Sequence, residues 1–123
     1  MQIQESGQMY LETIYVLLKE KGHVRSIDIC EHMGYSKPSI SRAMGLLKEG
    51  GYIEMQKDGA ISLTPSGEEI AKNIYNRHTL LTTLLTRLGV SEQTAAEDAC
   101  KLEHVISQET FLAIQKHVEE YGK

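Results

Sequence analysis

The stretch SKPSISRAMGLLKEGGYIEMQKDGAISL, residues 36–63, decides the fold. Ser36 offers a side-chain oxygen to cap a helix, and Pro38 falls in the first turn, where a missing N–H costs little. That helix runs through Ile40, Met44, Leu46 and Leu47 and stops at Gly50 and Gly51. Residues 52–55 and 60–63 then alternate as short strands around Lys57, Asp58 and Gly59, and Asp-Gly between such strands is a strong hairpin signal. Upstream, Ser26 caps a short helix over 27–33 that Gly34 ends. Two short helices joined at Gly34 and Tyr35 make a helix-turn-helix, and the hairpin behind them is its wing.

Working outward, residues 8–20 carry a wide apolar face that Lys21 and Gly22 end, which predicts a first helix. Thr64 and Pro65 open a helix that continues to about residue 88, where Gly89 closes it. Ser91 and Ser107 cap two more, over 92–104 and 108–121. The expected fold class is mostly α with a small β-hairpin wing. A winged helix-turn-helix is expected over residues 1–75 and a separate helical domain over 76–123.

The composition, 41% hydrophobic and 24% charged over 123 residues, is ordinary for a globular chain. No apolar run is long enough to span a membrane, and the first residues lack the regions of a secretory signal. Two cysteines some 70 positions apart make no disulfide framework, so a reducing, cytoplasmic setting is expected.

The net charge of −4 excludes a protein that coats nucleic acid indiscriminately, but the charge is unevenly placed. Residues 32–48 contain no acid and three basic side chains, Lys37, Arg42 and Lys48. From residue 79 onward, 4 basic side chains face 7 acidic ones. Small polar and basic residues at the N-terminal end of a recognition helix reach base edges, which suits Ser36, Lys37, Ser39 and Arg42 with Pro38 as a rigid apolar surface. Arg42 can pair bidentately with a guanine, Lys37 can hold a phosphate, and Lys57 at the wing tip can touch the backbone. The competing reading is a winged helix that binds protein with ordinary exposed side chains.

Cys100, Glu103 and His104 stand at i, i+3 and i+4, which puts thiolate, carboxylate and imidazole on one helical face. Such a donor set suits a divalent transition metal. Taken singly, each of these residues is more often structural. Leu80, Leu81, Leu84, Leu85 and Leu88 form an apolar stripe that serves either a core or, with Phe111, Ile114 and Val118, a dimer seam. No nucleophile–base pair and no Gly-rich phosphate loop accompany these residues, so neither an enzyme nor a small organic substrate is expected.

MYLETIY at 9–15, LTPSG at 63–67, Arg77 with His78, and DACKLEHVIS at 98–107 together resemble the diphtheria toxin repressor (DtxR/MntR) family. The likeness runs over nearly the whole chain, and the Cys-x-x-Glu-His block is its most specific part. It implies a metal-activated homodimer that binds palindromic operators in double-stranded DNA and controls iron or manganese uptake. It also implies a primary site of Met9, Cys100, Glu103 and His104, with His78 as an ancillary ligand. Thr82 and Ala96 stand where the iron-sensing branch has two further ancillary ligands, and neither is one. Glu12 falls where the manganese-sensing branch has a carboxylate, so Glu12 and His78 would hold a second ion that shares Glu103. Iron-sensing members often carry a further C-terminal β-barrel domain, and none is expected within these 123 residues.

Met9 and Cys100 occupy positions where the manganese sensors carry carboxylates. Thioether and thiolate favour softer ions, so Fe(2+) is the expected cofactor and Mn(2+) the alternative, with Co(2+), Ni(2+) or Zn(2+) able to bind in vitro. The remaining reading is a metal-independent winged-helix interaction module.

Overall fold

The computed structural model describes residues 4–121. The elements are α1 (Glu5–Lys21), α2 (Ser26–Met33), α3 (Lys37–Glu49), β1 (Ile53–Met55), β2 (Ile61–Leu63), α4 (Pro65–Arg87), α5 (Glu92–Leu102) and α6 (Gln108–Tyr121). They divide into two compact units, Met1–Lys72 and Asn73–Lys123, and α4 contributes to both.

The first unit packs three helices and the hairpin around one apolar cluster. Leu11 and Ile14 of α1, Ile29 of α2, Ile40 and Met44 of α3, and Ile53 and Ile61 of the strands are its buried members. Gly22 and Gly34 adopt φ of 75° and 74° and return their N–H groups to Leu18 and Cys30, which ends α1 and α2 in the left-handed conformation that glycine tolerates best. Ser36 caps α3 by accepting the Ser39 N–H at 3.3 Å.

Ser26 is not a cap. It is the first residue of α2, and the Asp28 carboxylate accepts the Arg25 N–H at 2.8 Å in its place. That hydrogen bond lowers the Asp28 pKa, so its support of the helix start is present above the ordinary value of 3.8 and lost as acid protonates the folded group.

The strands pair antiparallel, with Ile53 opposite Leu63 and Met55 opposite Ile61. The Gly59 N–H bonds the Gln56 carbonyl and the Gln56 N–H bonds the Ala60 carbonyl, at 3.0 and 2.8 Å. Gly59 has φ 88°, and among the described residues no non-glycine has positive φ, so Asp58 stays in an ordinary conformation. The connection is therefore a three-residue loop with a glycine bulge. Asp58 accepts the Ala60 N–H at 3.0 Å and stands 3.7 Å from the Arg25 guanidinium. Both partners of that pair are exposed, so it orients the wing more than it stabilises it. A further hydrogen bond, Ile61 N–H to the Val24 carbonyl at 2.7 Å, ties β2 to the segment before α2.

The second unit is helical. Ile74, Leu81, Ala95, Ala99 and Phe111 are buried in it. Ser91 and Ser107 cap α5 and α6 by accepting the N–H groups of Thr94 and Thr110. Leu81 and Phe111 therefore belong to the core of the single chain, whereas Leu88, Val105 and Leu112 are exposed. Among the described residues no helix is long and apolar enough to cross a membrane.

The expected helix over 92–104 is shorter. α5 ends at Leu102 and Glu103 is its C-cap. The Glu103 N–H still bonds the Ala99 carbonyl, but the Val105 and Ile106 N–H groups both turn back to Leu102. Glu103, still in the right-handed helical conformation, and His104 thus sit at the exit turn of α5, one turn beyond Cys100.

Candidate metal centre

The second unit holds a buried carboxylate faced by two imidazoles. Glu103 is fully buried, with its side chain 0% exposed. A carboxylate taken from water is costly unless hydrogen-bonded, paired or bound to a cation. His78, on α4, places Nδ1 2.9 Å from Glu103 Oε2. His104 places Nε2 3.3 Å from Glu103 Oε1, and its side chain is 1% exposed. Among the described residues Oε1 accepts no well-aligned hydrogen bond. An acceptor held out of water beside ring nitrogens has the chemistry of a metal site, since imidazole and carboxylate together suit divalent transition ions.

The turn that carries Glu103 is held by Arg77, itself buried. Its guanidinium donates to the Glu103 carbonyl at 3.2 Å, to the Ile106 carbonyl at 2.7 Å and to Gln108 Oε1 at 2.9 Å. These carbonyls lie where α5 runs out of intrahelical partners, and a cation complements the negative end of the helix. Burial lowers the Arg77 pKa, yet a guanidinium keeps its charge in a protein. Sequence reasoning gave Arg77 no role beyond the resemblance. An arginine in a polar helical run does not announce that it is buried.

The structure brings His78, Glu103 and His104 together. Cys100 is half-buried in the last turn of α5. Met9 and Glu12 are half-buried on α1 of the first unit, where the Met9 carbonyl accepts the Thr13 hydroxyl. The Thr82 hydroxyl donates to the His78 carbonyl at 2.8 Å, so it is engaged with its own helix.

On α3, Ile40, Met44 and Leu47 face the core. Lys37, Pro38 and Arg42 are exposed, as is Lys57 at the wing tip. Ser36 donates its hydroxyl to Ser39 at 3.0 Å, so both are partly used in holding the helix start. Ser41, which the sequence reading passed over, is exposed beside Arg42. Its only sequence signal is its position one residue before that arginine.

Residues 2–61 match the family model described as the iron dependent repressor N-terminal DNA binding domain, and residues 64–122 that of its metal binding and dimerisation domain. The transcriptional regulator MntR of Salmonella typhimurium is 34% identical over 113 residues, covering 92% of this chain and 72% of its own. The HTH-type transcriptional regulator MntR of Geobacillus kaustophilus is 35% identical over 102 residues, covering 83% of this chain and 72% of its own. A solved manganese-dependent transcriptional repressor in complex with manganese superimposes with a TM-score of 0.83 at 29% identity, over 92% of this chain. This chain spans 52% of that structure's length.

Proposed function

The chain belongs to the iron dependent repressor family, the DtxR/MntR group, and on that premise we propose that it is a metal-activated, dimeric DNA-binding repressor of metal-homeostasis genes. The observation that carries this reading is the buried Glu103 carboxylate between His78 and His104, in a chain whose other unit presents a winged helix-turn-helix. The chain acts as a regulator in the bacterial cytoplasm and not as an enzyme. Residues 1–75 read a palindromic operator, and residues 76–123 bind metal and pair with a second copy. Exposed Leu88, Val105 and Leu112 are among the apolar side chains available for that pairing.

The metal ligands in this reading are Met9 and Glu12 on α1, His78 on α4, and Cys100, Glu103 and His104 at the end of α5. Bound metal restricts the orientations that the recognition helices sample. DNA must then tighten metal binding by the same factor that metal tightens DNA binding. Ser36, Lys37, Pro38, Ser39, Arg42 and Lys57 form the DNA surface. Arg42→Ala should cost about 1–3 kcal/mol against the operator and relax preference at one base position. Lys37→Ala should weaken all duplexes alike and flatten the salt dependence. Operator preference that survives Arg42→Ala unchanged would move specificity to Ser36, Pro38 and DNA shape.

Iron(II) is the activating metal in this reading, because Met9 and Cys100 add soft donors. The His78–Glu103 pair and the manganese relatives favour a second reading, in which manganese(II) activates through harder donors. An anaerobic titration with each ion at matched free concentration, read by anisotropy of labelled DNA, separates the two. Met9→Asp with Cys100→Glu should shift activation toward manganese(II) and leave the chain folded. If wild type answers both ions equally and the double variant keeps that ranking, these two side chains do not set selectivity.

A further inference from the structure

Arg77 lies next to His78 in sequence, is 8% exposed, and directs its terminal nitrogens onto a single short stretch of chain. Its guanidinium carbon stands 5.3 Å from the Phe111 ring centroid, so an aromatic side chain packs beside the fork. A buried guanidinium beside a buried glutamate ordinarily takes the carboxylate, whose geometry it matches bidentately. Here it takes the Glu103 backbone carbonyl, while the carboxylate oxygens face His78 and His104.

We propose that Arg77 is a positioning residue for the metal centre: it fixes the turn that presents Glu103 and His104, while Gln108 keeps its fork off the Glu103 carboxylate and leaves that carboxylate to a divalent cation. The inference rests on the metal-centre reading above. Its physical content is separable from charge. Lysine keeps the positive charge but cannot reach two carbonyls and an amide in one plane, so Arg77→Lys removes the geometry alone. Gln108 is exposed in the first turn of α6, so Gln108→Ala leaves the core intact and releases one arm of the fork.

The test uses the full chain with cobalt(II) as the probe, read by its visible absorption and by competition with a chelating dye. Metal-free thermal unfolding is followed alongside. Arg77→Lys should weaken cobalt binding about 10- to 100-fold, the usual cost of losing support behind a ligand, and alter the absorption bands. Gln108→Ala should weaken binding in the same direction by less, with the metal-free unfolding midpoint unchanged. A merely structural role would move the midpoint and leave the spectrum of the folded fraction alone. Folded variants that bind cobalt as wild type does overturn the inference, and where Arg77→Lys does not fold, Gln108→Ala decides. Glu103→Gln is the control. Cobalt binding that ignores it sinks the metal-centre reading itself, whereas binding that needs Glu103 and ignores both Arg77 and Gln108 sinks only this inference.

Discussion

Glu103→Gln should leave a folded chain whose affinity for DNA no longer answers to metal. Glutamine matches glutamate in size and keeps a carbonyl acceptor for the imidazoles, but it lacks the charge that holds a divalent ion. Glu103 is fully buried between His78 and His104, so its charge acts where water does not screen it. Coupling between an effector and DNA typically amounts to about 1–3 kcal/mol, or roughly 5- to 150-fold in affinity, and the variant should forfeit all of it. It should also lose the rise in melting temperature that a ligand binding only the native state produces. Anisotropy titrations and thermal unfolding, each with and without metal, check both points. A variant that keeps the metal response of wild type removes Glu103 from the centre.

The second large effect is on stability. Gly67→Ala should destabilise the first unit by about 3 kcal/mol or more, the upper end for overpacking. Gly67 lies in the first turn of α4, where alanine would ordinarily be preferred by about 1 kcal/mol, so the expected sign is opposite to helix propensity. A Cβ there would overlap the Tyr52 carbonyl oxygen and stand 3.0 Å from its carbon. That carbonyl cannot move aside cheaply, because it accepts the Thr64 N–H at 3.1 Å while the Thr64 hydroxyl bonds the Gly51 carbonyl at 2.7 Å. Urea unfolding of the two proteins measures the difference. Equal midpoints would mean that the junction of α4 with the hairpin relaxes more freely than its hydrogen bonds indicate.

Gly67 also marks where the sequence stops being legible. Ser36, Gly34 and the Asp58–Gly59 pair act within a few residues of themselves, and their helix cap, helix end and hairpin were readable without any tertiary knowledge. The need for a glycine at 67 comes from Tyr52, in a different element, and no local pattern carries it. The carbonyls of Glu103 and Ile106, at and beyond the end of α5, are likewise claimed from a different element by Arg77, 26 and 29 positions earlier. Ser26 was misread because Asp28 competes for the same helix start. Cys100, Glu103 and His104 could be found by spacing, yet the partner that closes on Glu103 at 2.9 Å is His78, which only the family resemblance indicated.

The central claim is that metal switches this chain between weak and tight DNA binding. The most direct test is the affinity of the purified protein for a duplex selected from a random pool, measured anaerobically in excess chelator and again in saturating iron(II) or manganese(II), whichever binds the tighter complex. The account predicts tight binding, two chains per inverted repeat, only with metal present. Equal affinity in the two conditions would contradict it.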